Sequence, residues 1–287
     1  MPKEAAEISS KLYSSREVKD LVSIETKPLL QTGVSYLDRD FGFPSGYYLI
    51  VGNPGVGKSW FALWLSRVFY NNNGMQSVYF SLEMPEPLVR QRLLQQWDDL
   101  TKEQSETTPP SSRVIELLRK DVIVVDEFYA METLKQTPKN FEEWIDEYYT
   151  LGYRIFHFDH FHELQGASVN ESNQSAVQKW GLTFQQIAKK YPDIWLFIYG
   201  QPNSSDKKIL RRSSLMGSKA LTYKCDYFLS LNKNIPEDNL ETGSIIGGTD
   251  DRVVLYIDKT RYTTKTHIGF ALTFLPTGNF NSVSGDI

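Results

Sequence analysis

The sequence predicts an α/β fold with a mostly parallel central sheet, helices on both of its faces and antiparallel strands at the C-terminal end. Short apolar runs rich in β-branched and aromatic residues alternate with helical stretches over most of the chain. After about Asp226 the strands follow one another without helices between them, which indicates hairpins at the sheet edge. One early strand leads directly into a glycine-rich loop and a helix.

The expected elements follow from the length and composition of each run. Strands are expected at residues 47–51, 78–82, 122–125, 154–158, 194–199, 227–231, 253–257 and 268–274. Helices are expected at residues 60–65, 87–100, 141–149 and 174–190, with a short one around residues 15–24. The polar, glycine-rich residues 237–251 are expected to form a loop.

The glycine-rich loop fits the phosphate-binding P-loop pattern GxxxxGK[ST], with a strand before it and a helix after it. Glycines let backbone N–H groups curl around phosphate oxygens, and the helix N-terminus adds a partial positive charge. Lys58 can then reach the β- and γ-phosphates, and the Ser59 hydroxyl can bind Mg²⁺. The alternative is a chance match in a glycine-rich turn. The predicted nucleotide-binding residues are Gly52, Asn53, Pro54, Gly55, Val56, Gly57, Lys58, Ser59 and Trp60.

Composition limits what kind of protein this chain can be. Its 287 residues carry a formal net charge of −4, so any contact with nucleic acid must come from a local basic patch. Cys225 is the single cysteine, which excludes an intramolecular disulfide and fits a reducing cytosol. No apolar run approaches the roughly 20 residues of a membrane span, and the N-terminus lacks an apolar signal core. We expect a soluble cytoplasmic protein with a polar arm at residues 1–28 and one domain at residues 29–287.

Four segments, in order, resemble the ATPase domain of DnaB-type replicative helicases within the wider RecA-like class. Residues 32–59 carry the TG, LD and Pro/Gly elements that lead into the P-loop, and residues 78–85 (VYFSLEMP) are similar to the FSLEM strand end. GQPN at residues 200–203 is similar to the SQLN turn, and DKTR at residues 258–261 to the K-x-R finger. The resemblance covers about residues 29–280, without a counterpart of the family's N-terminal domain or of a fused primase.

The resemblance implies a RecA-like ATPase domain at residues 29–287 that uses ATP and Mg²⁺. It also implies a homohexameric ring that moves along single-stranded DNA and unwinds duplex DNA in replication, with a primase or loader as a further partner. Two alternatives stay open. One is a recombination ATPase that forms filaments, and the other is an ATP-binding loader or switch that grips a partner helicase.

Two strand ends offer the carboxylate that a P-loop ATPase needs for its Mg²⁺ shell. Asp159 ends a strand of the RecA-like type, whereas Asp126 and Glu127 resemble the DE strand end of AAA+ ATPases. Because the chain ends in strands rather than in a helical lid, we assign Asp159 to Mg²⁺. Asp126 is then the other acidic strand end of the DnaB pattern, and the AAA+ assignment remains the alternative.

Two further residues at strand ends are expected to face the γ-phosphate. By position and by the resemblance, Glu83 is the base that activates water, and Gln201 senses the γ-phosphate and moves the loop behind it. The alternatives are that Glu83 caps the following helix and that Gln201 is an ordinary turn amide. His160 is expected beside the nucleotide, where the family often has an aromatic residue.

The most basic stretch, residues 203–224, follows the strand that ends at Gln201. The resemblance places a DNA-binding loop there, and cations with serine hydroxyls are what phosphate contacts use. A solvated charged loop is the alternative. A second candidate loop, residues 166–174, lacks cations. The predicted DNA-binding residues are Lys207, Lys208, Arg211, Arg212 and Lys219.

Lys259 and Arg261 lie at the end of a late strand. In the resembling family, such a pair reaches across a subunit interface to the neighbour's γ-phosphate, and an arginine supplied in trans accelerates hydrolysis by orders of magnitude. The resemblance therefore implies that the protein must assemble to hydrolyse ATP well. A surface salt-bridge pair is the alternative.

Overall fold

The computed structural model describes residues 27–120, 123–126, 138–161, 173–202, 209–214, 219–233, 251–262 and 266–283. Its helices are α1 (Ser35–Asp40), α2 (Lys58–Asn73), α3 (Glu86–Asp98), α4 (Lys102–Thr107), α5 (Ser112–Arg119), α6 (Pro138–Thr150), α7 (Asn173–Lys190) and α8 (Lys219–Lys224). Its strands are β1 (Leu29–Leu30), β2 (Phe43–Pro44), β3 (Gly46–Gly52), β4 (Ser77–Ser81), β5 (Ile123–Asp126), β6 (Ile155–Asp159), β7 (Trp195–Gly200), β8 (Tyr227–Lys233), β9 (Arg252–Thr260), β10 (Ile268–Phe274) and β11 (Phe280–Ser282).

Each of the eight predicted strands overlaps an observed strand, and four of the predicted helices overlap observed helices. The helix after the P-loop extends to Asn73, well beyond the predicted residues 60–65. The structure also contains short elements that the sequence did not predict, namely α1, α4, α5, α8, β1, β2 and β11. The predicted helix at residues 15–24 and all but the last residue of the predicted loop at 237–251 lie outside the described residues.

Nine strands form one sheet in the order β11-β10-β9-β8-β3-β7-β6-β4-β5. The six strands from β8 to β5 run parallel. Strands β9, β10 and β11 extend the sheet beyond β8 in antiparallel pairs. The predicted α/β fold class, with a mostly parallel sheet and C-terminal antiparallel strands, is confirmed.

The sheet separates two hydrophobic cores because alternate residues of a strand point to opposite faces. On β3, Tyr48 and Ile50 pack into the core that contains α2 and α3. Tyr47, Leu49 and Val51 pack into the core that contains α6 and α7. Every residue of β3 is buried, so the strand that leads into the P-loop is held from both sides.

Parallel strands place their carboxyl ends along one edge of the sheet, where ligands of open α/β folds bind. That edge brings together the loop after β3, Glu83 after β4, Asp159 at the end of β6 and Gln201 after β7. Among the helices that the structure describes, none is both long and apolar enough to cross a membrane.

Candidate active site

The P-loop has a backbone that only glycine adopts without strain at two positions. Gly55 and Gly57 have φ angles of +76° and +102°, in the left-handed region. A Cβ added to Gly52 would lie 2.6 Å from Val56 Cγ1, so the start of the loop also excludes larger residues. Helix α2 begins immediately afterwards at Lys58 and directs its N-terminus into the loop.

Lys58 lies folded back into the loop. Its Nζ donates to the carbonyl oxygens of Gly52, at 2.8 Å, and Asn53, at 3.3 Å. Burial lowers the pKa of Lys58, while the negative charges of Asp159 and Glu83 act in the opposite direction. The Lys58 amino group is thus buried in the glycine loop, where the charges of both carboxylates act on it. These residues fit a nucleoside triphosphate, because phosphate oxygens can replace the Gly52 and Asn53 carbonyl oxygens as partners of the Lys58 amino group.

Asp159 and Ser59, the two predicted Mg²⁺ ligands, both lie near Tyr79 on β4. The Tyr79 hydroxyl donates to Asp159 Oδ2, and the nearby Ser59 hydroxyl lowers the pKa of the same tyrosine. Burial and the neighbouring Asp159 charge raise the pKa of Tyr79, so it remains a neutral donor. The structure therefore brings the predicted ligands together. The sequence did not indicate Tyr79, which reaches Asp159 only because β4 pairs with β6 in the sheet.

Asp126, the alternative metal ligand, lies on a different part of the sheet. Strand β5 is at the edge, and β4, β6 and β7 separate it from β3. Four strand spacings amount to about 19 Å, which is too far for a carboxylate to share a metal ion with Ser59. Only one strand, β7, separates β6 from β3. The topology supports the assignment of Asp159 over Asp126.

Three side chains lie in a row at the carboxyl ends of adjacent strands: Glu83 after β4, His160 after β6 and Gln201 after β7. His160 Nδ1 lies 3.2 Å from Glu83 Oε2, and His160 Nε2 lies 3.1 Å from Gln201 Nε2. The imidazole is buried, with 4% of its side chain exposed, whereas 58% of the Glu83 side chain is exposed. The two residues predicted to face the γ-phosphate are thus linked through a histidine whose bridging position the sequence did not reveal.

The ring of Trp60, predicted to contribute to nucleotide binding, contacts α3 and the β10–β11 hairpin. The ring packs beside Phe274, with centroids 6.3 Å apart, and the Arg92 guanidinium lies over it at 5.0 Å. Gly278 approaches the ring so closely that a Cβ there would overlap it. These contacts connect α2 to the β10–β11 hairpin.

Lys259 and Arg261, the predicted finger residues, contact groups of their own chain. Lys259 Nζ donates to three carbonyl oxygens around the end of α8, those of Thr222, Tyr223 and Cys225, at 3.1, 3.1 and 2.7 Å. Burial lowers the pKa of Lys259. Arg261 Nη1 lies 3.2 Å from Asp226 Oδ1. An action in trans requires Arg261 to leave this ion pair.

The predicted DNA-binding residues are only partly within the described structure. Lys207 and Lys208 lie outside the described residues, and Lys219 is the first residue of α8. Arg211 lies 5.4 Å above the Tyr256 ring. Arg212 donates from Nε to Asp258 Oδ2 at 2.9 Å, and its backbone N–H donates to the same oxygen at 3.1 Å. Arg212 therefore has a structural partner that the sequence analysis did not predict.

Comparison with known proteins identifies similar domains. The model of the DnaB-like helicase C-terminal domain family matches residues 30–192. One solved ATPase domain is similar with a TM-score of 0.74 and 18% identity, over 96% of this chain and 99% of that one. A DnaB-like replicative helicase, solved with its interactions with primase, gives a TM-score of 0.74 and 18% identity, over 99% of this chain and 67% of that one.

The RadB recombinase is more distant, with a TM-score of 0.57 and 15% identity over 89% of this chain and 100% of that one. No curated protein sequence matches the chain. The structural similarities, at these low identities, show the fold. The family model covers more than half of the 287 residues, including the P-loop, Glu83 and Asp159. The chain therefore belongs to the DnaB-like helicase C-terminal domain family.

Proposed function

We propose that the protein is an ATP-driven DNA helicase that hydrolyses ATP at the carboxyl edge of its sheet and unwinds duplex DNA in replication. One observation carries the proposal: the carboxyl edge of the sheet places Lys58, in a P-loop after β3, at the same edge as Asp159 at the end of β6 and Glu83 after β4. A cation for the phosphates, a metal ligand and a base are the groups that ATP hydrolysis requires.

Each residue has a distinct role in this proposal. Lys58 exchanges its loop carbonyl partners for the β- and γ-phosphates, and the N–H groups of the P-loop hold the remaining phosphate oxygens. Ser59 and Asp159 hold Mg²⁺, which when bound neutralises phosphate charge. Glu83, the more exposed carboxylate, orients a water and accepts its proton. Gln201 responds to the γ-phosphate and passes the change to the basic segment that follows β7.

The wider functional assembly is also proposed. The chains form a ring, and we infer a hexamer, in which Arg261, assisted by Lys259, completes the site of the neighbouring subunit. Single-stranded DNA passes along Lys207, Lys208, Arg211, Arg212 and Lys219. A primase or loader acts as a further partner, in the cytoplasm. The family match and the similarity to a helicase solved with its primase interactions support this proposal.

A recombination ATPase is the second candidate, because the RadB recombinase shares the fold. The helicase is favoured by the family model, which matches the segment containing the P-loop and both carboxylates. Electron microscopy with ATP and DNA distinguishes the two, since a helicase gives closed rings and a recombinase gives filaments.

ATP hydrolysis by the full chain, measured with and without single-stranded DNA, tests the proposal. The wild type is expected to hydrolyse ATP faster with DNA present. Lys58→Ala should abolish turnover, and Glu83→Gln should retain ATP binding but slow turnover by about 10²-fold, the scale of a general base. Turnover of the wild type no higher than that of Lys58→Ala would contradict an ATPase. Hydrolysis unaffected by DNA would contradict a DNA motor.

A further inference from the structure

We propose that His160 is a positioning residue that orients Glu83 and makes its orientation depend on Gln201. The proposal rests on the role of Glu83 as the base, given above. The two nitrogens of the His160 ring face residues at the ends of different strands, Glu83 after β4 and Gln201 after β7. The ring is therefore placed to act on the base through a second residue rather than on the phosphates themselves.

The polarity of the contacts fixes the direction of the effect. The Gln201 side-chain nitrogen that faces His160 Nε2, at 3.1 Å, is an amide NH₂, which can only donate. His160 Nε2 must therefore accept, and in a neutral imidazole the proton then resides on Nδ1. Nδ1–H is the group 3.2 Å from Glu83 Oε2, at contact distance but without the alignment of a hydrogen bond. The N–H of Gln201 thus points towards the ring, and the ring presents a donor on the side of the carboxylate.

Reversal of the Gln201 amide would reverse this arrangement. If the carbonyl oxygen of Gln201 faced the ring, Nε2 would carry the proton and donate to it. Nδ1 would then present a lone pair to the Glu83 carboxylate, and the attraction between the two groups would become repulsion. Gln201 lies two residues before the basic segment, residues 203–224, that is proposed to contact DNA. A movement of that segment can therefore alter the orientation of Glu83 through the buried His160 ring.

The packing around His160 keeps the ring in place. His160 is more than nine-tenths buried, while the Glu83 side chain is largely exposed. The neighbouring Phe161 ring lies against the backbone of Gly200, where any Cβ would overlap it. The ends of β6 and β7 are thereby held at close range. A fixed ring beside an exposed carboxylate is the arrangement in which a partner orients a base.

Three substitutions separate the two contacts of the ring. His160→Asn carries an amide nitrogen near the position of Nδ1 and retains a donor for Glu83. His160→Gln reaches the position of Nε2 and retains the Gln201 contact only. His160→Phe fills the space and makes neither contact.

Their kinetics should differ in a pattern that loss of stability does not produce. In His160→Phe, kcat for ATP should fall about ten-fold, the scale of a lost orienting partner, with KM nearly unchanged. His160→Gln should be as slow as His160→Phe. His160→Asn should recover most of the basal kcat but lose stimulation by single-stranded DNA. In a Glu83→Gln background, His160→Phe should cause no further decrease.

Equal activity of His160→Asn and His160→Gln would overturn the proposal, and so would an additive loss in the Glu83→Gln background. If His160→Phe does not fold, the comparison of His160→Asn with His160→Gln still tests the proposal. His267→Phe, on the exposed ring that contacts Asp258, controls for the loss of a histidine elsewhere. If the wild type does not hydrolyse ATP at all, the proposed function fails, and the following measurement still tests the histidine.

Nitrogen-15 NMR of histidine-labelled protein, without nucleotide and in mildly alkaline buffer, identifies which ring nitrogen carries the proton. The chain has four histidines, so the spectrum of His160→Asn assigns the His160 signals by difference. The expected signals are a protonated Nδ1 and an unprotonated Nε2, and the Nε2 signal should shift in Gln201→Leu. A ring protonated on Nε2, or a signal insensitive to Gln201→Leu, would overturn the proposal.

Discussion

At the scale of single residues, the site combines motif residues with partners that come from other strands. Lys58 and Ser59 belong to a contiguous pattern, so the sequence was sufficient to propose them. Tyr79 and His160 acquire their roles only through the order of strands β4, β6 and β7 in the sheet. No spacing along the chain encodes a contact between residues 80 positions apart, such as Tyr79 and Asp159. Their contributions therefore required the structure.

Tyr79→Phe should raise the Mg²⁺ concentration needed for half-maximal ATP hydrolysis by about ten-fold, because loss of a hydroxyl that orients a metal ligand typically has effects of that size. At saturating Mg²⁺ the kcat should be close to that of the wild type. Tyr227→Phe removes a buried hydroxyl outside this site and should leave the Mg²⁺ dependence unchanged. Identical Mg²⁺ titrations for Tyr79→Phe and the wild type would show that Tyr79 does not orient the ligands.

Asp159→Asn and Asp126→Asn make the same chemical change at the ends of two different strands. The first should lower kcat by at least about 10²-fold, because the Mg²⁺ shell loses its charged ligand. The second should change kcat less than about two- to three-fold, because β5 lies about 19 Å from the P-loop strand. ATP turnover of both purified variants decides between the assignments. An inactive Asp126→Asn beside an active Asp159→Asn would favour the AAA+ alternative.

At the scale of elements, the β10–β11 hairpin is joined by hydrogen bonds and packing to α2, the helix that follows the P-loop. Gln96 Nε2 on α3 donates to the carbonyl oxygen of Trp60, at 2.9 Å, and to that of Gly278, at 2.7 Å. Gly278 in the hairpin turn has a φ of +79° and packs against the Trp60 ring. One side chain thus connects α2, α3 and the hairpin, and holds the helix whose N-terminus forms the phosphate site.

Gly278→Ala and Gly74→Ala test this connection as a matched pair. Both glycines have a left-handed φ, which costs an alanine about 1–2 kcal/mol. A Cβ at Gly74 meets open space, whereas a Cβ at Gly278 overlaps Trp60. Gly278→Ala should therefore lower the free energy of unfolding by about 1–3 kcal/mol more than Gly74→Ala. Urea denaturation measures both, and equal losses would mean that Trp60 moves aside without cost.

The long elements were predictable from the sequence, and several short ones were not. Buried strands such as β3 are continuous apolar runs, which sequence analysis detects directly. Helix α4 buries no residue at all, so it leaves no apolar pattern, although Thr101 and Gln104 form a capping box at its start. Strand β11 is three residues long and exists through its pairing with β10. Helix α4 is therefore marked by its cap rather than by an apolar face, whereas β11 depends on a tertiary contact.

At the scale of the whole molecule, the proposed ring requires a residue from one subunit to complete the site of the next. Arg261 is held by Asp226 within its own chain, and Asp226 Oδ2 also accepts a hydrogen bond from the backbone N–H of Tyr47, at 3.1 Å. Assembly of the ring must therefore replace the Arg261–Asp226 ion pair, in which 9% of the Asp226 side chain is exposed. Formation of the subunit interface would then release Arg261 to act on the neighbouring site.

Mixing Arg261→Ala subunits with Lys58→Ala subunits tests action in trans. A junction between an intact Lys58 and an intact Arg261 contains one complete site, so mixtures should hydrolyse ATP faster than the weighted average of the two variants. Mixtures of Glu83→Gln and Lys58→Ala should show no gain, because every site lacks a residue of its own subunit. DNA-stimulated ATP hydrolysis across a mixing series, after confirmed subunit exchange, provides the measurement. Mixed activity at the weighted average would count against a shared site.

In the proposed function, this chain converts ATP hydrolysis into separation of DNA strands. A forked duplex with a labelled strand, incubated with the full chain, ATP and Mg²⁺, provides the test. We expect release of the labelled strand by the wild type, and no release by Lys58→Ala or when ATP is replaced by a non-hydrolysable analogue. ATP hydrolysis that is stimulated by DNA but leaves the fork intact would mean that the chain is an ATP-dependent switch or loader rather than a helicase.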